Sequence, residues 1–213
     1  MAEVVIAIDG PAASGKSSVA RGVAHKLGYV YVNTGLMYRA VTWWACDRGL
    51  DLAHDQLVSE ALLETKLEHQ LDGLISRFAV DGVAAETVAN APVVLANVSR
   101  LAQLPGVRSI LVELQRNAIR FGSLVMEGRD IGSVVFPNTP YKFYLDASPD
   151  VRMARRHSQG VADDAIEARD QLDSQRMNSP LQHAADARVI DTSSLDLDAV
   201  IAAVLDDIKT PAS

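Results

Sequence analysis

A glycine-rich stretch near the amino terminus has the composition of a phosphate-binding loop. Residues 10–17 read Gly-Pro-Ala-Ala-Ser-Gly-Lys-Ser, which matches the pattern G-x-x-x-x-G-K-[ST]. In such a loop the backbone N–H groups surround the phosphates, the lysine reaches the terminal phosphates and the hydroxyl after it binds Mg²⁺. The pattern predicts ATP or GTP binding, with Ser17 as a metal ligand. The predicted nucleotide contacts are Gly10, Pro11, Ala12, Ala13, Ser14, Gly15, Lys16, Ser17 and Ser18.

The surrounding sequence favours a kinase over other nucleotide-binding proteins. A GTPase switch is expected to carry Asp-x-x-Gly after its second strand and an Asn-Lys-x-Asp guanine reader, and neither motif is found. A motor or transporter ATPase usually needs a longer chain. The best remaining interpretation is a small-molecule kinase, in which an oxygen of the substrate attacks the γ-phosphate while the protein supplies positioning and positive charge.

Two further segments place charged side chains directly after predicted strands. Residues 33–39, Asn-Thr-Gly-Leu-Met-Tyr-Arg, follow the second strand, and residues 127–132, Glu-Gly-Arg-Asp-Ile-Gly, follow a later one. The carboxyl ends of parallel strands form the ligand-binding edge of a doubly wound sheet. Tyr38 and Arg39 are therefore candidates for binding an acceptor phosphate, and Arg129 with Asp130 is expected to face a ligand. An ordinary core and surface role is the alternative for both segments.

A charged segment near the carboxyl terminus supplies more cations. Arg169, Asp173 and Arg176 share one face of a helix at i, i+4 and i+7. A solvated, salt-bridged surface is the usual meaning of such a face, but a closing lid also needs movable cations over the phosphates. The same two interpretations, a solvated surface or a phosphate-binding lid, apply to three arginines just upstream, Arg152, Arg155 and Arg156.

The elements that must position these residues alternate between strand and helix. Residues 4–8 are a short β-branched apolar run, which is typical of a strand buried on both faces. Residues 16–27 carry apolar side chains at helical spacing and end at Gly28, residues 29–32 form a second strand, and residues 35–48 form a second helix. This β-α-β-α order predicts an α/β fold.

The rest of the chain continues the alternation after an interruption. The pattern weakens over residues 51–92, where Asp81-Gly82 predicts a hairpin turn. Helices are expected at residues 93–101 and 107–119 and strands at 123–126, 141–145 and 188–190. A last helix is expected at 197–208.

Composition limits the classes of partner. The 213 residues carry a formal net charge of −7, which argues against broad contacts with nucleic acid or anionic membranes. Of the 20 basic residues 15 are arginine, and the planar guanidinium group suits bidentate phosphate binding. Cys46 is the single cysteine, no run of 18 apolar residues occurs, and a zinc-site spacing is absent from the sequence. We expect a cytoplasmic protein.

Taken in order, these motifs resemble the bacterial cytidylate kinases from end to end. The resemblance is carried by residues 8–11 leading into the phosphate loop, 34–39, 128–137, 169–170 through 179–181, 186–187 and 190–193. It implies an α/β P-loop NTPase fold: a five-stranded parallel sheet flanked by helices, with a small β-rich insert that binds the nucleoside monophosphate and a helical lid. The implied boundaries are a core at 1–50 and 105–213, the insert at about 51–104 and the lid at about 157–178.

The resemblance also implies a reaction and a set of site residues. It implies Mg²⁺-dependent transfer of the γ-phosphate of ATP to CMP or dCMP by a monomer, with Lys16, Arg39, Arg129 and Arg176 as catalytic residues. Arg39, Arg129 and Arg176 hold the CMP phosphate, Arg169 with Asp173 reaches the ribose, and Ser99, Arg108 and Asp130 read cytosine. Thr34 and Tyr38 complete the substrate set, and Arg152 joins the ATP set. The acceptor phosphate oxygen is already anionic at pH 7, so a general base is not required.

Two departures from the family pattern affect base and sugar preference. The family commonly has Asp where Asn33 stands, and the insert usually contains an Ile-Arg pair where this chain reads Glu86 to Asn90. Two alternatives to cytidylate kinase activity remain at the level of sequence. One is a P-loop kinase for another acceptor, such as UMP or a non-nucleotide alcohol, and the other is a nucleotide-binding switch that catalyses no transfer.

Overall fold

The computed structural model describes residues 3–157 and 183–209. Within those ranges, helices alternate with strands through most of the chain, and none of the helices is long and apolar enough to cross a membrane. The strands are β1 (Val5–Asp9), β2 (Val30–Asn33), β3 (Leu67–Asp72), β4 (Ile75–Val80), β5 (Val83–Ala84), β6 (Leu124–Gly128), β7 (Tyr141–Asp146) and β8 (Arg188–Asp191). The helices are α1 (Lys16–Leu27), α2 (Thr34–Asp47), α3 (Asp55–Leu63), α4 (Ala85–Val88), α5 (Pro92–Leu101), α6 (Pro105–Asn117), α7 (Pro149–His157) and α8 (Leu197–Lys209).

Five strands form the predicted parallel sheet, in the order β2-β6-β1-β7-β8. β1 lies in the middle, and all five of its residues are buried. Its side chains alternate between the two faces, as strand geometry requires. Ile6 and Ile8 pack with α1 and α8 on one face, whereas Val5 and Ala7 pack on the other face with neighbours that include Met126. The continuous apolar run in the sequence therefore reports burial on both faces, which confirms the predicted α/β fold.

The insert is less separate than the sequence suggested. Its β3–β4 hairpin joins the edge of the parallel sheet, where Tyr31 of β2 pairs in parallel with Ile75 of β4. The sequence predicted a turn at Asp81-Gly82, which the structure has between β4 and β5, but the main hairpin was missed. The reason is that β3 has only one buried side chain, His69, so its residues lack the apolar alternation by which a strand is recognised.

A large apolar cluster connects this insert to the core. Helices α2, α3, α5 and α6 pack together with β4, and fully buried side chains such as Val58, Val80 and Leu111 belong to one continuous cluster. The helices predicted at 93–101 and 107–119 are confirmed as α5 and α6 with small shifts of their ends. Because α5 and α6 pack against α2, side chains from all three helices can reach the same edge of the sheet.

The carboxyl ends of the three central strands bring the sequence motifs together. In the sheet register, Asp9 of β1 pairs with Gly128 of β6, and Asn33 of β2 pairs with Glu127 of β6. The phosphate loop, the start of α2 and the segment after β6 therefore emerge side by side, at the edge where open α/β sheets bind ligands.

Candidate active site

The phosphate loop has a backbone conformation that requires its glycines. Gly10 has φ 154° and Gly15 has φ 90°, values at which side chains are strained. A Cβ on Gly10 would lie 2.1 Å from the Leu145 carbonyl oxygen, so this position has no room for a side chain. Ala13 also lies in the left-handed region, with φ 61°. The loop leads directly into α1, and its N–H groups together with the helix N-terminus form an anion-binding concavity.

Lys16 and Ser17 begin α1 and lie at the mouth of this loop. The Lys16 ammonium donates to the Pro11 carbonyl oxygen at 2.8 Å, which folds the side chain back across the loop. The Ser17 hydroxyl donates to Glu127 Oε2 at 2.8 Å. Both residues line the adjoining cleft, so the predicted phosphate and metal ligands face the same space.

Glu127 is a candidate site residue that the sequence reasoning passed over. It is the last residue but one of β6 and only 2% exposed, and its carboxylate accepts hydrogen bonds from Ser17 and, at 2.6 Å, from the Tyr31 hydroxyl. A hydroxyl beside a carboxylate suits Mg²⁺, which prefers oxygen ligands and is usually held by one or two protein groups plus phosphates and water. Within residues 3–157 and 183–209, no group of three or more His, Cys, Asp or Glu side chains is placed to hold a metal ion.

A cleft of about 280 Å³ extends from the phosphate loop between α2, α5, α6 and the segment after β6. It gathers side chains that are far apart in the sequence. The predicted site residues along its walls are Lys16, Ser17, Thr34, Tyr38, Arg39, Ser99, Arg108, Arg129 and Asp130. Asn33 and Glu127 line it as well. Five separate segments of the chain therefore contribute to one cavity.

Arg108 and Asp130, which both line the cleft, form a buried ion pair. Arg108 donates to Asp130 with both side chains under 10% exposed. The same guanidinium group reaches the Tyr38 hydroxyl at 3.4 Å and the Ala102 carbonyl at 3.5 Å. Ser99 is also buried. A buried charged pair stays favourable only when its geometry is fixed by further hydrogen bonds, so this corner presents one donor group and one acceptor group in set positions.

The segment after β6 is held against the phosphate loop and the end of β1 by hydrogen bonds. Arg129 donates to the Gly10 carbonyl oxygen. The Asp9 carboxylate accepts from the N–H groups of Ile131 and Gly132, each at 2.8 Å. Asp9 is the last residue of β1, and its burial raises its pKa from 3.8 to about 7. The orientation of the loop that carries Arg129 and Asp130 therefore depends on the strand that carries the phosphate loop.

Comparisons with known proteins agree with this geometry. The cytidylate kinase family model matches residues 6–210. The chain is 43% identical over 212 residues to the cytidylate kinase of Lactiplantibacillus plantarum, covering 93% of this chain and 92% of that protein.

The chain belongs to the cytidylate kinase family.

Other members and solved structures extend the comparison. The cytidylate kinase of Mycobacterium leprae is 40% identical over 220 residues and covers 98% of this chain and 97% of its own. Two crystal structures share the fold at 14% identity. One is an uncharacterized protein from Eubacterium ventriosum, with a TM-score of 0.53 over 98% of this chain and 99% of that one. The other is a sugar kinase from Janibacter, with a TM-score of 0.50 over 98% of this chain and 96% of that one.

In this member of the cytidylate kinase family, α7 and the residue after β8 also contact the phosphate loop. Arg152 donates to the Ala12 carbonyl at 3.4 Å, which places it beside the loop; its contact with ATP stays a prediction. Arg155 donates to the Ala13 carbonyl and, at 2.7 Å, to that of Thr192. The Thr192 hydroxyl in turn donates to the Ser14 carbonyl at 2.9 Å. These bonds hold the carbonyl groups of Ala12, Ala13 and Ser14 on that side of the loop.

Three predicted residues of the cytidylate kinase site lie outside the described residues. These are Arg169, Asp173 and Arg176, together with most of the predicted lid at 157–178. Their roles stay predictions.

Proposed function

We propose that this protein transfers the γ-phosphate of ATP to CMP or dCMP, giving ADP and CDP or dCDP. The observation that carries the proposal is the single cleft between the phosphate loop and the buried Arg108–Asp130 pair. One end suits a triphosphate, and the other end offers the hydrogen-bonding groups that a cytosine ring needs. Membership of the cytidylate kinase family supports the same reaction.

Residues 10–15 with Lys16, Ser17, Ser18 and Arg152 bind ATP in this proposal. The Ser17 hydroxyl would bind Mg²⁺ and donate a hydrogen bond to Glu127, and Glu127 would also interact with the metal. When bound, Mg²⁺ neutralises charge on the phosphates. Lys16 supplies a positive charge at the mouth of the loop, and its flexible side chain would exchange the bond to the Pro11 carbonyl for one to a phosphate oxygen.

The acceptor phosphate is held by Arg39, Arg129 and Arg176. Arg39 and Arg129 line the cleft next to Lys16, and guanidinium groups bind phosphate with paired hydrogen bonds. Because the attacking oxygen is already ionised, these arginines act by positioning and by stabilising negative charge. Closure of the predicted lid would exclude water, which would otherwise compete as the acceptor.

Ser99, Arg108 and Asp130 read the base. Cytosine presents an N4 amino donor where uracil presents an O4 acceptor, and it presents acceptors at N3 and O2. A carboxylate pairs with the first group, while arginine and serine pair with the other two. Thr34 and Tyr38 line the cleft between base and phosphate, and Arg169 with Asp173 would contact the ribose.

The finer features of the family are part of the same proposal. We propose a monomeric, cytoplasmic enzyme whose core comprises residues 1–50 and 105–213. Residues 51–104 form the insert on the acceptor side, and 157–178 form the lid. The net charge of −7 supports the absence of nucleic acid and membrane partners.

Release of ADP from Mg-ATP, measured with CMP, dCMP, UMP, AMP and GMP in turn, tests the proposal. We expect turnover with CMP and dCMP to exceed that with the other acceptors by at least about 100-fold in kcat/KM. Preference for UMP would leave the fold and phosphate loop intact but remove the roles given to Ser99, Arg108 and Asp130. ATP binding without transfer to any acceptor would point to a nucleotide-binding switch.

An Arg129→Ala variant extends the test to the acceptor phosphate. We expect kcat/KM for CMP to fall by about 100-fold or more with normal circular dichroism, because one charge-assisted phosphate contact is lost. Arg100→Ala, a surface change on α5, is the matched control. Wild-type turnover of Arg129→Ala would contradict the assignment.

A further inference from the structure

A chain of hydrogen bonds with a buried centre leads from the start of α2 to the predicted metal site. It runs from Asn33 through Tyr31 to Glu127, which also accepts from Ser17. Asn33 and Glu127 are register partners at the ends of β2 and β6. Tyr31 and Glu127 are 3% and 2% exposed, so the bond between these two side chains is shielded from water.

The direction of the chain is fixed at Asn33. Its Oδ1 atom accepts from the backbone N–H of Leu36 at 3.2 Å and caps the N-terminus of α2. A backbone N–H can only donate, so the oxygen of the amide must face α2. The amide nitrogen therefore faces the Tyr31 hydroxyl, to which it donates at 3.2 Å.

The next bond follows from the donor count. A tyrosine hydroxyl has one proton, and the lone pair that faces Asn33 is already used as an acceptor. The Tyr31 proton therefore points to Glu127 Oε1 at 2.6 Å. Burial and the neighbouring Glu127 carboxylate raise the pKa of Tyr31, so the hydroxyl remains a donor at physiological pH.

The two oxygen atoms of the Glu127 carboxylate therefore have different partners. Oε1 accepts a hydrogen bond from the Tyr31 hydroxyl, and Oε2 accepts one from the Ser17 hydroxyl at 2.8 Å. We propose that Tyr31 and Asn33 are positioning residues that orient Glu127 toward Ser17 and thereby set the affinity of the site for nucleotide-bound Mg²⁺. This inference rests on the proposed use of Mg-ATP.

The uncharged amide at position 33 is essential to this arrangement. An aspartate there would place a second carboxylate next to the Tyr31 hydroxyl, and the single phenolic proton could serve only one of the two acids. Glu127 would then lose its donor for part of the time, while another negative charge would lie at the rim of the cleft. The Asn33→Asp change therefore tests the direction of the hydrogen bonds, and Tyr31→Phe tests their presence.

The measurement is metal binding, with activity as a secondary readout. Mn²⁺ affinity of the ADP complex is measured by electron paramagnetic resonance, and ADP affinity is measured by calorimetry in EDTA. For Tyr31→Phe we expect about 10-fold weaker Mn²⁺ binding, since a hydrogen bond to a charged group is lost, with ADP affinity in EDTA within about 2-fold of wild type. The phenylalanine keeps the ring in its apolar cluster, so the fold is expected to persist.

Matched variants separate positioning from general damage. Tyr141→Phe removes a hydroxyl from a tyrosine that packs on the same cluster at the opposite end of the sheet and is expected to behave as wild type. In a Glu127→Gln background, Tyr31→Phe should cause less than about a 2-fold further change, because the coupled partner is already altered. Asn33→Asp should weaken Mn²⁺ binding by more than it weakens ADP binding in EDTA, because the second carboxylate competes with Glu127 for the Tyr31 proton.

Two results would overturn the inference. Wild-type Mn²⁺ affinity in Tyr31→Phe would show that the tyrosine does not position Glu127. An equal loss of ADP affinity with and without metal would show a general disturbance of the phosphate loop. Failure of the proposed function is a separate outcome, recognised by the absence of phosphoryl transfer in the wild type while its metal-dependent ADP binding is intact.

Discussion

The donor and acceptor ends of the cleft are built in different ways. The donor end is one continuous stretch, residues 10–17, whose ligand-binding groups are mostly backbone N–H groups held by glycine conformations at Gly10 and Gly15. The acceptor end is assembled from α2, α5, α6 and the segment after β6, and its ligand-binding groups are side chains. In the proposed assignment, triphosphate binding therefore depends on local backbone geometry, whereas base recognition depends on how the helices pack.

The two ends of the cleft also differ in the kind of charge that they place near a ligand. At the donor end, partial charges of the loop and of the α1 N-terminus face the proposed nucleotide site, and Lys16 and Arg152 add full positive charges beside them. At the acceptor end, whole charges face each other, as in the buried Arg108–Asp130 pair. A substitution at the donor end should therefore affect every acceptor equally, and a substitution at the acceptor end should change which acceptor is used.

Lys16→Ala is expected to have the largest effect. Removal of the ammonium should lower kcat by about 1,000-fold for CMP and dCMP alike, because a charge that stabilises the transferring phosphoryl group is lost. Steady-state kinetics with both acceptors, compared with the surface variant Lys26→Ala, measure this. A loss confined to one acceptor would contradict the division between the two ends.

Asp130→Asn is expected to have an intermediate effect that is specific to the base. The amide keeps the shape of the side chain but no longer presents two acceptor oxygens to N4 of cytosine, so the ratio of kcat/KM for CMP to that for UMP should fall by about 100-fold. The KM for ATP should stay within about 2-fold. An unchanged ratio together with lower activity on both acceptors would mean that Asp130 serves only to hold Arg108.

Asp9→Asn should have the smallest effect, and the effect is on stability. Asp9 ends β1 next to the phosphate loop and accepts hydrogen bonds from the segment after β6. Since the folded-state pKa is raised to about 7 from 3.8, the folded protein retains a proton that the unfolded chain releases. Stability contributed by this group is therefore lost as pH rises, by about 2 kcal/mol between pH 5 and pH 7.

Urea unfolding of wild type and Asp9→Asn at those two pH values measures that contribution. We expect the pH-dependent difference to disappear in the variant, on top of a pH-independent loss of about 1 kcal/mol from a missing hydrogen bond to Ile131 or Gly132. A wild-type curve with the same pH dependence as the variant would show that Asp9 titrates normally.

The sequence located the acceptor residues to unequal degrees. Arg39, Arg129 and Asp130 could be proposed from their position after strands, because parallel strands share one carboxyl edge. Ser99 and Arg108 lie inside the amphipathic helices α5 and α6 and have no local signature, so only the family resemblance pointed to them. The roles of Glu127, Tyr31 and Asn33 were missed because a strand residue gives no sign of which side chain its neighbour in the sheet will offer.

The phosphate loop and the order of strands and helices could be predicted from the sequence, since both depend on local conformational preferences and apolar periodicity. Three features became visible only in the folded chain: β3 and β4 extend the main sheet, Arg108 pairs with Asp130, and Asn33, Tyr31 and Glu127 form one directed chain of hydrogen bonds. Those features depend on strand register and helix packing between residues up to about a hundred positions apart, and short-range sequence patterns do not encode such contacts.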